Sequence, residues 1–133
     1  MQTYPQIVLD PKARSFDGRH PWVMSRTIIE PTLPIQNGSL VELTKGDGTW
    51  IGRGVYNSES QIRIRLYQWE RDQKLDESWL KTKLDSAFQL RELCNDESSS
   101  LEAVRLVNSE GDGLSGLIID RFGPYCIVQL TSY

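Results

Sequence analysis

Histidine is almost missing from this chain. His20 stands alone among 133 residues, so any mechanism that needs several imidazoles is excluded. The two cysteines, Cys94 and Cys126, lie far apart, with no CxxC pair and no histidine at ligand spacing. Neither a disulfide framework nor a zinc site is suggested, and a reducing cytoplasm is the expected compartment. No run approaches the roughly 18 to 20 apolar residues that a membrane span needs. The opening MQTYPQIVLDPKAR also has no basic stretch followed by an apolar one, as a secretory signal would. The expectation is a soluble, cytoplasmic chain with no membrane partner.

What remains is an ordinary globular composition, 25% charged and 38% hydrophobic. The net charge of −3 hides an asymmetry. Residues 1–71 carry nine Lys/Arg against seven Asp/Glu, and the rest carry six against eleven. Basic character therefore sits in the first half, where a nucleic-acid surface would need it.

That half reads as a compact β domain. Strand-like runs occur at Gln6–Leu9, Trp22–Met24, Thr27–Ile29, Leu40–Thr44, Trp50–Tyr56 and Gln61–Trp69, broken by turn residues. Asp47-Gly48 has the chemistry of a tight hairpin turn. Pro5, Pro11, Pro21, Pro31 and Pro34 disfavour long helices, leaving room for one short helix at Lys12–Gly18. So many short strands in about seventy residues favour a small barrel, which removes sheet edges too small a domain could not cover. Residues 76–94 differ: Asp76 can cap a helix that repeats apolar groups at Leu80, Leu84 and Phe88. After the polar NDESSS, strands are expected at Glu102–Val107, Leu117–Asp120 and Cys126–Leu130. About thirty residues bury no core of their own. The expected class is thus mainly β with one long helix: a small β-barrel, then a helix and the first strands of an incomplete α+β domain.

Several motifs could carry chemistry. Gly111-Asp112-Gly113-Leu114-Ser115-Gly116 matches G-x-G-x-x-G, yet it leads into the β-branched Leu117–Ile119 rather than a helix whose amides could meet a pyrophosphate. A turn is the expected role. QIRIRLYQ, residues 61–68, places Ile62, Ile64 and Leu66 on one face and Arg63, Arg65 and Tyr67 on the other. Guanidinium groups beside an aromatic ring suit phosphate contact and base stacking, although a solvated barrel face would look the same. Lys12, Arg14, Arg19 and His20 precede Trp22, and Pro21 stiffens the His-Pro-Trp tripeptide. His20 is expected to be a hydrogen-bonding group rather than a catalyst, having no carboxylate or nucleophile at a recognisable spacing. Cys126, among apolar neighbours, is expected to be buried. Glu110, Asp112 and Asp120 are expected to form turns.

GRHPWVMSRTI (18–28), GRGVYNSESQIRIRLY (52–67) and RLVNSEGDGLSGLIIDRFG (105–123) together resemble, in order and spacing, the N-terminal part of the S-adenosylmethionine (SAM)-dependent methyltransferases that modify cytosine at carbon 5 in large-subunit ribosomal RNA. Ser115 departs from the family, which usually has proline there. The resemblance implies a PUA-like RNA-binding β-barrel at 1–71, a helical linker at 72–100 and the opening strands of a truncated central domain at 101–133. It implies RNA, ribosomal by the family, as partner; the contacts expected from the strand and loop patterns above are Lys12, Arg14, Arg19, His20, Trp22, Arg63, Arg65 and Tyr67. SAM would serve the full-length enzyme, with no cofactor or catalytic residue in this chain, which alone should be inactive. The alternatives are a stand-alone RNA-binding module or a strand-pairing assembly unit. A homodimer through residues 117–130 is a further expectation.

Overall fold

The computed structural model describes residues 4–13, 19–94 and 103–132. These fall into two compact units, the first ending at Lys74 and the second running from Leu75 to Ser132.

In the first unit, β1 (Gln6–Leu9), β2 (Trp22–Met24), β3 (Ile28–Ile29), β4 (Leu40–Thr44), β5 (Trp50–Tyr56) and β6 (Ile62–Gln68) form one sheet in the order β2-β6-β5-β4-β1-β3. Neighbours are antiparallel except β1 and β4. The two outermost strands, β2 and β3, are consecutive in the chain and joined by a single 3-10 turn, Ser25–Thr27. Two ends of a sheet joined by three residues must lie close together, so the sheet is a nearly closed barrel. The strand expected from Thr27 therefore starts one residue later. The Thr27 hydroxyl donates instead to the Met24 carbonyl at 2.7 Å and closes the turn. The expected helix at Lys12–Gly18 lies mainly outside the described residues; Asp10 to Ala13 form a turn, with the Ala13 amide donating to the Asp10 carbonyl at 2.9 Å.

Period-two alternation builds the barrel core. Ile7, Val23, Ile28, Val41, Leu43, Tyr56, Ile64 and Leu66 are buried together, and each fully buried aliphatic contributes about 1.5–3 kcal/mol. The β4–β5 hairpin turns at Gly48, whose φ of +85° suits a residue without a Cβ. The Asp47 carboxylate accepts the Thr49 amide at 2.8 Å, and hydrogen bonding from the Thr49 side chain, followed by this amide, holds its pKa below the usual range. On the face of the sheet opposite Val41 and Leu43, Glu42 and Arg53 face each other across β4 and β5 and form a buried ion pair at 2.8 Å. The Arg53 guanidinium also lies over the Tyr4 ring and donates to the Gln73 carbonyl at 2.8 Å. A buried cation thus fastens the segment that follows β6 to the outer face of the sheet.

The second unit contains α1 (Glu77–Cys94) and an antiparallel sheet of β7 (Ala103–Asn108), β8 (Leu117–Phe122) and β9 (Tyr125–Leu130) in that order. Asp76 caps α1 as expected, its Oδ1 accepting the amides of Ser78 and Trp79, each at 3.1 Å. Trp79, Leu84, Ala87 and Phe88 pack on Val107, Leu114, Leu117 and Ile119; Leu80, expected in that stripe, is exposed. Every residue of β9 is exposed, Cys126 included, which corrects the expectation that this thiol is buried. The reason is coverage: α1 lies against β7 and touches β8, while β9 is the outer strand.

The glycine-rich segment is a turn, as expected. Ser109–Asp112 form a 3-10 turn ended by Gly113 at φ +69°, and the chain re-enters a strand after Gly116 at φ +88°. Arg91 of α1 grips the Asp112 carboxylate through two bonds of 2.7 Å, and the Asn108 amide donates to the same group at 2.6 Å. Asp120 is held in the same two-bonded way by Arg105, at 2.8 and 3.1 Å. The molecule is therefore mainly β with one long helix, its barrel followed by further strands.

Candidate nucleic-acid interface

The interface residues come from two strands that are far apart in sequence and adjacent in space. β2 is short and sits at the end of the sheet, paired with β6 alone, and Trp22 stands opposite Arg65 in that pairing. Alternation buries Val23, Ile64 and Leu66, so Trp22 and Arg65 are turned to the outer surface. The Arg65 guanidinium lies over the Trp22 ring at 5.8 Å from its centroid, a cation–π arrangement. His20 meets Trp22 edge-on, with ring centroids 5.7 Å apart and planes at 81°. The Trp22 amide donates to His20 Nδ1 at 3.1 Å. A backbone amide can only donate, so Nδ1 is the acceptor and the neutral ring carries its proton on Nε2. His20 thus makes a hydrogen bond of the kind its sequence context suggested.

The other expected residues divide. Lys12 and Arg19 are exposed in the loop between β1 and β2, and Arg14 lies outside the described residues. Tyr67 is half-buried on the same side of β6 as Arg65. Arg63 is placed differently from its neighbour. Its guanidinium contacts Glu30 through Nε at 3.0 Å and Nη2 at 2.9 Å, and it donates to the Asn57 and Ser58 carbonyls. With a side chain only 15% exposed, it acts first as a strut for the loop after β5. Glu30 lies thirty-three positions away, and only closure of the barrel brings the two together. Nearby, burial raises the Tyr56 pKa, with Glu30 adding to that effect and Arg63 opposing it. Arg26, which sequence reasoning passed over, is exposed in the 3-10 turn directly after β2. Its only sequence signal is membership of the MSRTI segment.

Among the described residues, no group of three His, Cys, Asp or Glu side chains could hold a metal ion. The 111–116 loop does not fit a methyl donor. Its Asp112 carboxylate is held in place by Arg91, and no helix follows whose amides could receive a ligand. No described helix is long and apolar enough to cross a membrane.

Residues 7–69, which span the barrel, match the family model of the PUA-like domain, and the nearly closed sheet is consistent with that match. Over most of its length the chain is also similar to proteins named Ribosomal RNA large subunit methyltransferase I. It is 33% identical over 126 residues to the one from Erwinia tasmaniensis, covering 95% of this chain and 32% of that protein. To the one from Aliivibrio fischeri it is 36% identical over 114 residues, covering 86% and 28%. Among solved structures, a candidate SAM-dependent methyltransferase from Streptococcus mutans matches with a TM-score of 0.77 at 16% identity, over 96% of this chain and 33% of its own. A candidate methyltransferase complexed with SAH matches at 0.80 and 17%, over 97% and 33%. At such identities these structures show a shared fold. The chain spans about a third of the length of the curated relatives it matches.

Proposed function

We propose that this chain is the RNA-binding, substrate-targeting N-terminal portion of a SAM-dependent methyltransferase acting on cytosine carbon 5 of large-subunit ribosomal RNA in the cytoplasm. The observation that carries the reading is the His20–Trp22–Arg65 cluster, exposed on the outer strand pair of a PUA-like barrel. Residues 1–71 bind RNA in this account; α1, within 72–100, links them to 101–133, the opening strands of a central domain. Methyl transfer is assigned to residues that the longer relatives have and this chain does not span, and SAM to the same place. The names of those relatives support the RNA class of substrate.

RNA is held largely at its phosphates, by Arg65 with Lys12 and Arg19 from the loop before β2 and by Arg14, and Tyr67 adds a ring. Binding of that kind releases counterions and weakens steeply with salt. Filter-binding titrations with a ribosomal RNA fragment should give a straight fall of log affinity against log salt, shallower in the Lys12→Ala, Arg19→Ala double variant. Salt-independent affinity, or an unchanged slope in the double variant, contradicts the assignment.

A further inference from the structure

We propose that the RNA recognised by the first unit is unpaired at the contact, and that one of its bases stacks on the indole of Trp22. The inference rests on the RNA-binding reading and narrows it to single strands, loops and bulges. Of the four tryptophans, Trp22 is the exposed one, at 39%. Trp69 packs against the barrel core, Trp79, on α1, packs against the Ala87–Val107–Leu114 cluster of the second unit, and the indole nitrogens of Trp50 and Trp69 are buried. A large ring turned outward on a strand only three residues long contributes little to the core it leaves. It is also held in place: Pro21 stiffens the chain before it, the Pro21 carbonyl accepts the Leu66 amide at 2.7 Å, and its own amide is bonded to His20.

The groups around it complete the chemistry of a nucleotide. The indole offers a π face to a base, the planar Arg65 guanidinium can extend that stack or bond a phosphate, and His20 Nε2–H is a donor suited to a phosphate or 2′-hydroxyl oxygen. A continuous duplex covers both faces of every base with its neighbours, leaving an indole nothing to stack on. Duplex backbones are instead read by rows of free cations, and here Arg63, the cation that would extend such a row along β6, is engaged by Glu30 and two carbonyls.

The test compares a short single-stranded oligoadenylate with a blunt RNA duplex, titrated into the 133-residue chain as wild type, Trp22→Ala, Trp22→Phe and Arg65→Lys. Trp22→Ala should weaken single-strand binding by about 5- to 150-fold, the range that base–aromatic stacking covers, and leave duplex binding and the salt slope unchanged. Trp22→Phe keeps a ring to stack on and should keep most of the affinity, as should Arg65→Lys, which retains the charge. Tryptophan fluorescence reads the contact directly and does not depend on how the alanine variant folds: oligoadenylate should quench the wild type and leave Trp22→Phe unquenched. Equal losses for both RNAs in Trp22→Ala, no loss for either, or unchanged quenching in Trp22→Phe overturns the stacking proposal while RNA binding stands. If the wild type binds neither RNA, the broader reading falls and takes this one with it.

Discussion

Arg63 and Arg65 sit two positions apart on the same face of one strand, yet they are in different situations. Arg65 lies over an exposed indole, whereas Arg63 is bonded to Glu30 and to two carbonyls of the loop after β5. Arg65→Ala should therefore weaken RNA binding and lower the salt slope by about one. Arg63→Ala should leave the slope unchanged and cost roughly 1 kcal/mol of barrel stability in a urea titration, since Glu30 is half exposed and such pairs contribute modestly. Asp112 gives a second test at this scale. Burial opposes its ionisation, but the bonds from Arg91 and the Asn108 amide outweigh it and hold its pKa low. A folded pKa below the unfolded value of about 3.9 contributes stability above about pH 4, lost as pH falls through the folded value. Protection from amide exchange around Val107 and Leu114, measured against the intrinsic rate at each pH, should fall below that pH in the wild type. Asp112→Asn should raise exchange at neutral pH, by about 1–3 kcal/mol of lost protection, and flatten the acid limb. Sequence alone put both arginines outward, because alternation along a strand is local. It could not show that Glu30 reaches Arg63, because that contact depends on how the barrel closes.

Among the elements, those whose signals are local were readable in advance. The Asp47-Gly48 hairpin and the Asp76-capped helix rest on side-chain-to-backbone bonds within three residues, and both formed as expected. β9 forms where a strand is expected, and only the burial expected of Cys126 is corrected, because an apolar run states what a strand prefers and says nothing of whether another element covers it. Cys126, Ile127 and Val128 look like core in sequence and are exposed in the structure. Gly54 carries a constraint invisible in sequence: a Cβ there would be driven into the Arg65 carbonyl and lie 2.8 Å from Leu66 Cα. Both are backbone atoms of β6, the strand that presents Arg65. Gly54→Ala should therefore cost about 3 kcal/mol or more in chemical denaturation and weaken RNA binding through the displaced arginine. A stability within 0.5 kcal/mol of wild type, roughly the scatter of a neutral surface change, would show that the two strands can separate at little cost.

At the scale of the whole molecule, the barrel has a filled core, and among the described residues the second unit buries Ala87 of α1 with Val107 and Leu114, leaving one strand uncovered. β9 has a neighbour on one side only, and such an edge tends to pair with another strand. Antiparallel pairing of β9 with its copy would give a two-fold dimer through residues 117–130. Sedimentation equilibrium should then show the mass rising toward the dimer with concentration, and Val128→Lys should abolish the rise; a strict monomer at every concentration removes the dimer. The central claim concerns the other unit, where RNA meets the outer face of β2 and β6. Ultraviolet cross-linking of the chain to ribosomal RNA, with the adducts mapped by mass spectrometry, tests it most directly. Adducts concentrated on residues 19–22 and 63–67 are the predicted result; adducts confined to residues 103–132, or none at RNA concentrations that saturate binding, would contradict it.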